Sequence, residues 1–233
     1  MSDWIAAERG ANGLHGWRMP DGFTAQAADM KGITAKLGNG LPVVMIGEGE
    51  RTLPAPVIAP PVKTGDHWAI KGLRQATPED RLGAEIAILA GLVAPRPRWD
   101  GVVCITGARS VWAHVSAGEV ISFRSFVSGI LAGALSAGDP VGGAGFDTAL
   151  EEVVTRPERL ASLLGQGGAA RIWGALIGAE IAATKPYWLG QQVLLAGPNP
   201  YAGALRDQGV PVEIFDKESM RLEGLKAIWT TRE

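Results

Sequence analysis

A short turn, Gly197-Pro198-Asn199, stands between a predicted strand at residues 192–196 and a predicted helix at residues 200–208. Backbone amides at the start of a helix point outward at the positive end of the helix dipole. Such turns after parallel strands therefore bind the phosphates of nucleotides. We predict a nucleotide contact at Gly197 and Asn199, with a plain connecting loop as the alternative.

Other side chains that could bind a ligand or react give weaker signals. His15, His67 and His114 share no metal-ligand spacing, which disfavours a zinc site. Ser128-Gly129 opens a predicted helix and could bind an anion, although a simple helix cap is the favoured interpretation. Cys104 lies in the apolar run 102–105 and is expected to be a buried, unreactive thiol.

The first part of the chain predicts a hairpin followed by mixed elements. Strands at residues 4–7 and 14–19 flank a glycine-bearing turn, and a strand at 42–46 precedes a proline-rich, irregular connection to about residue 66. Thr77-Pro78-Glu79-Asp80 combines a threonine N-cap, a proline at the first helical position and two early carboxylates, which predicts a helix from residue 79. Pro95 and Pro97 end that helix and mark a lobe boundary.

The rest of the chain predicts a three-stranded meander and then alternating helices and strands. The expected elements are strands at 101–105, 111–115 and 119–124, helices at roughly 125–136, 147–164 and 169–184, and then strand 192–196, helix 200–208, strand 212–215 and helix 217–229. This alternation implies an α/β chain with parallel strands and right-handed crossovers. We expect an N-terminal lobe of residues 1–97 and a C-terminal lobe of residues 98–233.

Composition limits the partners. The 22 basic side chains nearly cancel the 24 acidic ones, and no run of five like charges occurs, so we expect no nucleic-acid partner. A single cysteine excludes an internal disulfide. Neither a signal peptide nor a stretch of 18 apolar residues is found, so we expect a cytoplasmic protein without a membrane partner.

Short motifs, in order along the chain, match one family. Gly10, Leu14 and Trp17 fall in the opening hairpin, and Gly107, Ser110 and Trp112 fall early in the meander. The segments 72–75, 128–131, 176–181 and 193–198 continue the same order. Together they resemble the 2-dehydro-3-deoxygalactonokinase family, and the chain looks like a shortened, degenerate member. The resemblance covers nearly the whole chain and depends on order and spacing rather than on one motif.

The resemblance implies the two-lobed actin-like ATPase fold of sugar kinases, with ribonuclease H-like lobes and a reduced first lobe. It implies ATP-dependent phosphorylation of 2-dehydro-3-deoxy-galactonate, with ATP and Mg²⁺ as cofactors if the chain is active and none otherwise. The residues that it assigns are Glu8, Glu85 and Arg109 to catalysis, Gly10, Asn12, Gly107, Ser110, Gly197 and Asn199 to cofactor binding, and Glu8 to the metal. Solvated charges are the alternative for both glutamates, and a simple turn is the alternative for Gly107 and Ser110.

Several polar residues of the family motifs are replaced. The family has an aspartate and two threonines where this chain has Glu8 and Ala11-Asn12. It has threonine, histidine and lysine where this chain has Ala108, Arg109 and Val111. Losing one oriented electrostatic group commonly costs on the order of 10²–10³ in rate, so we expect weak or lost kinase activity. The alternatives are a pseudokinase that binds a nucleotide or sugar acid, and a scaffold or partner protein; a homodimer is also compatible with the sequence.

Overall fold

A computed structural model describes residues 2–232, and the chain packs as two compact units. The first unit contains the chain up to Trp99, the short segment Ala117–Ile121 and the chain from Lys217 onward. The second contains Asp100–Ser116 and Ser122–Asp216. The lobe boundary after residue 97 stays a prediction. Within residues 2–232, no helix is long and apolar enough to cross a membrane.

The first unit is built on a mixed sheet. Its strands are β1 (Trp4–Gly10), β2 (Gly13–Met19), β3 (Phe23–Ala27), β4 (Val43–Thr52), β6 (Val62–Thr64), β7 (His67–Gln75) and β8 (Asp80–Leu82), while β5 (Ala55–Pro56) pairs with Glu119 and Val120. The sheet order is β3-β2-β1-β4-β7-β6, and β8 pairs with β7. β1 and β2 form the predicted antiparallel hairpin, whereas β4 runs parallel to both β1 and β7.

Three helices belong to this unit: α1 (Met30–Leu37), α2 (Glu85–Val93) and α8 (Lys217–Trp229). Asp29 caps α1 by accepting a hydrogen bond from the Gly32 amide at 2.8 Å. α2 and α8 approach so closely that only glycine fits at two positions. A Cβ atom on Gly91 would lie 1.9 Å from the Met220 carbonyl oxygen, and one on Gly224 would lie 1.8 Å from that of Ala87.

The second unit is the alternating part that the sequence predicted. Its strands are β9 (Gly101–Ile105), β10 (Ser110–Ser116), β11 (Glu119–Phe126, of which the residues from Ser122 belong here), β12 (Val193–Ala196) and β13 (Val212–Phe215). Their order is β13-β12-β9-β10-β11, with β12 parallel to both β9 and β13. The helices are α3 (Ser128–Ala134), α4 (Phe146–Thr155), α5 (Leu160–Gly165), α6 (Ala169–Trp188) and α7 (Asn199–Asp207). Cys104 is fully buried in this core, as predicted.

Two local predictions were wrong. The helix expected from residue 79 begins only at Glu85, because Asp80–Leu82 instead pairs as β8 with Leu73–Gln75 of β7. The connection expected to be irregular up to residue 66 contains the end of β4 and the short strands β5 and β6. In both places, strand pairing outweighs the local signals of prolines and capping residues, through the short hairpins β6-β7 and β7-β8 and through the pairing of β5 with β11.

Candidate functional site

The turn between β1 and β2 forms a polar pocket of about 260 Å³ in the first unit, which we call the hairpin pocket. Glu8, the turn Gly10–Gly13, His15 and Gln26 line it together with Leu14. Gly13 has a φ of +120°, and a Cβ atom there would lie 2.4 Å from the Ala27 carbonyl oxygen, so glycine is required. The structure thus brings together three of the predicted site residues, Glu8, Gly10 and Asn12.

The carboxylate of Glu8 is already engaged. Arg221 of α8 donates from Nη1 to Glu8 Oε2 at 2.7 Å, and its Nε contacts Glu218 at 3.2 Å. The same guanidinium lies over the Trp17 ring, 4.9 Å from its centroid. Trp17 donates its indole N–H to Glu218. Any ligand that uses Glu8 must therefore compete with, or share, this ion pair.

The residues around Glu8 supply too few oxygen ligands to hold a metal ion without a nucleotide. Magnesium prefers six oxygen ligands and is usually held by one or two carboxylates together with phosphates and water. Glu8 is the one carboxylate among the residues that line the hairpin pocket, and it is paired with a guanidinium. Within residues 2–232, no group of three or more His, Cys, Asp or Glu side chains is placed to hold a metal ion.

Glu85 lies elsewhere in the first unit, at the start of α2. Its Oε2 accepts a hydrogen bond from the Gly83 amide at 3.0 Å, so the side chain satisfies a backbone donor just before the helix. A Cβ atom on Gly47 of β4 would lie 3.0 Å from the Ala84 amide nitrogen. Glu85 does not line the hairpin pocket, and its catalytic role stays a prediction.

In the second unit, two turns lie side by side at the ends of neighbouring parallel strands. Ala196, the last residue of β12, pairs with Ile105, the last residue of β9. The Thr106 amide donates to the Ala196 carbonyl at 3.1 Å, and a Cβ atom on Gly197 would lie 2.3 Å from Thr106 Oγ1. The Gly107 turn and the Gly197-Pro198-Asn199 turn therefore adjoin, as expected for a nucleotide-binding edge.

A third turn, at the start of α3, packs against the Gly107 turn. The Ile130 amide in the first turn of α3 donates to the Ala108 carbonyl at 3.0 Å. A Cβ atom on Gly129 would lie 2.1 Å from the Gly107 carbonyl oxygen, so this close packing needs glycine. Arg109 donates to the Ser125 hydroxyl of β11. We call the three turns 106–109, 127–130 and 197–199 the turn cluster.

Glu180, in the middle of α6, lies beneath the turn cluster and is only 1% exposed. It accepts hydrogen bonds from Trp112 Nε1 at 2.8 Å and from the Tyr201 hydroxyl at 2.9 Å. Tyr201 lies in the first turn of α7, so one carboxylate links the start of β10 to the start of α7.

Two serines complete the surroundings of Glu180. Ser128 of α3 hydrogen-bonds to the carboxylate. The Ser110 hydroxyl has no well-oriented partner among the described residues, yet it lies near enough to help lower the pKa of Glu180. Burial dominates, however, and raises the pKa of Glu180 above its ordinary value.

The sequence analysis missed the role of Glu180. The residue was part of a matched motif, Leu176 to Ile181, but was not among the candidate site residues. A usable signal was present, because Glu180 is a lone carboxylate among apolar residues of a helix and such residues are rarely buried without partners. What the sequence alone does not show is that Trp112 and Tyr201 are those partners.

Comparisons with known proteins bear on the family and the fold. A sequence model of the family described as 2-keto-3-deoxy-galactonokinase, where keto and dehydro name the same group, matches residues 15–228. The matched range begins at His15, so Glu8, Gly10 and Asn12 lie outside it. No curated protein matches the chain.

Two solved structures show the fold. A presumed 2-dehydro-3-deoxygalactonokinase from Sinorhizobium meliloti superposes with a TM-score of 0.72 at 24% identity, covering 97% of this chain and 99% of that one. MreB 5 of Spiroplasma citri, solved with AMPPNP bound, superposes with a TM-score of 0.50 at 11% identity, covering 99% of this chain and 97% of its own. The predicted α/β actin-like ATPase fold is thereby confirmed.

Proposed function

Because this chain belongs to the 2-keto-3-deoxy-galactonokinase family, we propose that it binds a nucleotide at the turn cluster and that its phosphoryl transfer to the family substrate is weak or lost. Membership implies ATP and a metal ion as cofactors if the chain is active. The proposed ligands are a nucleotide and a sugar acid, both small metabolites, so the proposed place of action is the cytoplasm. A homodimer is compatible with this proposal, and light scattering measures the oligomeric state.

One observation carries the nucleotide part of the proposal. The turns after the parallel strands β9 and β12 adjoin, and α7 begins directly after the second turn at Asn199. This arrangement places the Gly197 and Asn199 amides and the positive end of a helix at the carboxyl edge of the sheet, where anionic ligands bind in open α/β sheets. Pro198 and Pro200 have no N–H, and the Tyr201 amide donates to the Pro198 carbonyl, so these two amides carry the proposal. Glu180 links β10, α3 and α7, the elements next to these turns, through Trp112, Ser128 and Tyr201, which preorganises the edge.

Weak catalysis is supported by the groups that surround the ligand-facing positions. Arg221 neutralises Glu8, the carboxylate proposed for the metal or for proton removal. Val111, where the family has a lysine, is 1% exposed and packs in the core instead of facing a ligand. Phosphoryl transfer depends almost entirely on positioning and charge stabilisation, so these losses reduce the rate even when the nucleotide binds.

The first experiment compares thermal melting with and without magnesium-ATP and the 2-keto-3-deoxy sugar acid, followed in the same samples by a coupled assay for ADP. Stabilisation by the nucleotide with slow or absent ADP release is the expected result. Rapid ADP release would establish the family reaction instead. Melting that neither ligand changes would point to a scaffold.

A charge variant tests whether binding occurs at the turn cluster. Asn199→Asp places a negative charge at the exposed N-terminus of α7, which favours the helix but repels phosphate. We expect unchanged or slightly higher stability and nucleotide binding about fivefold weaker, corresponding to roughly 1 kcal/mol. Gln166→Asp makes the same charge change at another exposed position of the second unit and should leave binding unaltered. Equal effects of the two variants would contradict the proposed location.

A further inference from the structure

A second concave site lies in the first unit and shares no lining residue with the hairpin pocket. It is a cavity of about 120 Å³ at the junction of β4, β7 and the connection that follows β5. Its walls are mostly apolar, with two basic side chains and no acidic one; the residues that define it are Val57, Val62, Ile70, Ile228, Arg51 and Lys71.

Arg51 is the unusual member of this site. A guanidinium has five N–H donors, and among the described residues only one acceptor is found for them, the Pro56 carbonyl oxygen at 2.6 Å from Nη1. The side chain is partly buried, and this burial lowers the pKa of Arg51. Buried charges in proteins are normally paired, because desolvation is costly.

The neighbouring acids are engaged elsewhere. Glu50, the residue before Arg51, pairs with Arg81 at 2.7 Å, and Glu48 contacts His67 at 3.1 Å. Within the described chain, neither Arg51 nor Lys71 forms an ion pair, so the cavity keeps two uncompensated positive charges against an apolar wall. Lys71 lies opposite a bulge of β4, and its stem packs at Gly49, where a Cβ atom would be 3.5 Å from Lys71 Cγ.

We infer that this cavity binds a small anion, a carboxylate or phosphate of a few heavy atoms, through Arg51 and Lys71. A planar guanidinium with free donors suits either oxyanion, and Lys71 adds a second positive charge. The volume lies well below the ~300–1,000 Å³ of pockets that hold drug-sized ligands, so a nucleotide does not fit. The proposed anion site does not depend on the proposed nucleotide function, so each can be tested separately.

The test is isothermal titration of the full chain with sodium phosphate and with sodium pyruvate, each against sodium chloride at matched ionic strength. We expect saturable binding of at least one of the two anions. Phosphate alone would assign an inorganic or phosphorylated ligand, and pyruvate alone would assign a carboxylate. Heat that does not saturate, or that equals the chloride control for both anions, would overturn the inference.

Matched charge-removing variants locate the binding. Arg51→Met and Lys71→Met keep most of each side-chain stem and should each weaken binding at least about tenfold, as expected for losing a charge-assisted contact. Arg74→Met removes the same charge from the same strand as Lys71, at a side chain that contacts Glu79 instead of the cavity, and should change affinity less than about twofold. Unchanged affinity in Arg51→Met, with its fold intact by circular dichroism, would also overturn the inference.

Discussion

At the scale of single residues, Glu180 is the feature with the most consequences. A carboxylate that is 1% exposed would be strongly destabilising without donors, and here Trp112, Tyr201 and Ser128 provide them. Because these donors belong to β10, α7 and α3, the carboxylate fixes the elements that carry the turn cluster. Its predicted role is to position the turns, since it does not itself reach the surface.

A conservative substitution tests that role. Glu180→Gln keeps the volume but replaces one acceptor oxygen with an NH2 group, which cannot accept a hydrogen bond, so either Trp112 or Tyr201 loses its acceptor. We expect nucleotide affinity to fall by roughly tenfold, because a lost charged hydrogen bond costs about 1.5–3 kcal/mol and part of that cost appears as misplaced turns. The measurement is the nucleotide dissociation constant by titration calorimetry, together with the free energy of unfolding.

Thr184→Val is the matched control for Glu180→Gln. Thr184 is also fully buried in α6, one turn further along, and its hydroxyl donates to the Glu180 carbonyl at 2.7 Å without touching the turns. It should lower stability while leaving nucleotide affinity unchanged. If nucleotide affinity fell in proportion to the loss of stability in both variants, Glu180 would contribute only to packing and would not position the turns.

The stability of the protein should also depend on pH through Glu180. Burial raises the pKa of its carboxyl in the folded protein above the unfolded value of about 4.3. The folded state therefore binds this proton more tightly. The resulting stabilisation is fully present below the unfolded pKa and is lost as the pH rises through the folded pKa.

This dependence can be isolated by difference. The free energy of unfolding of the wild type minus that of Glu180→Gln should decrease as the pH is raised from about 4, since other titrating groups cancel. Denaturant unfolding of both proteins at a series of pH values measures it. A difference that stays constant, or that grows with pH, would contradict a raised pKa.

At the scale of elements, the close crossing of α2 and α8 requires glycine at Gly91 and Gly224. Gly224→Ala would place a methyl group 1.8 Å from the Ala87 carbonyl oxygen, and neither backbone can move away without separating the helices. We expect a destabilisation of about 3 kcal/mol or more. Chemical denaturation followed by tryptophan fluorescence measures it, since Trp229 lies at the end of α8.

The control is a glycine inside another helix. A Cβ atom on Gly203 of α7 meets nothing within 4 Å. Gly203→Ala should therefore raise stability by roughly 0.5–1 kcal/mol through helix propensity alone. If the two substitutions had similar effects, the close approach of α2 and α8 would be in doubt.

The sequence predicts these elements where its local signals agree, and it fails where local signals compete. The strands at 101–105 and 212–215 and the helix at 217–229 have the predicted bounds, because their apolar patterns coincide with their local signals. The helix predicted at 147–164 is interrupted by a 3₁₀ turn at Pro157–Arg159. The helix start at Thr77 was wrong because Asp80–Leu82 pairs with Leu73–Gln75 in a short hairpin, and this local alternative outweighs the capping signal.

In the candidate site, prediction is limited by contacts between residues that are far apart in the sequence. The strand, turn and helix around Gly197 follow from local pattern and are confirmed as geometry. The Arg221 contact to Glu8 joins residues 213 positions apart, and Trp112 and Glu180 are 68 positions apart. No spacing rule finds such pairs, so the sequence predicted Glu8 as a candidate but neither its pairing with Arg221 nor the role of Glu180.

At the scale of the whole molecule, the family and the fold are shown, and weak or lost phosphoryl transfer is our proposal. The chain keeps the strands, turns and close-packed glycines that shape the turn cluster. Where the resemblance implies a threonine and a lysine, it has Ala108 and Val111, and Arg221 forms an ion pair with Glu8. Binding and transfer are separable properties in such a fold, because transfer needs groups whose contribution appears only in the transition state.

The most direct measurement is made on one purified sample: the dissociation constant of magnesium-ATP by titration calorimetry, followed by the rate of ADP formation at saturating 2-keto-3-deoxy sugar acid. We predict saturable nucleotide binding with turnover at least about 10²-fold below the 1–100 s⁻¹ typical of kinases. Turnover within that usual range, or no nucleotide binding at all, would contradict the central claim.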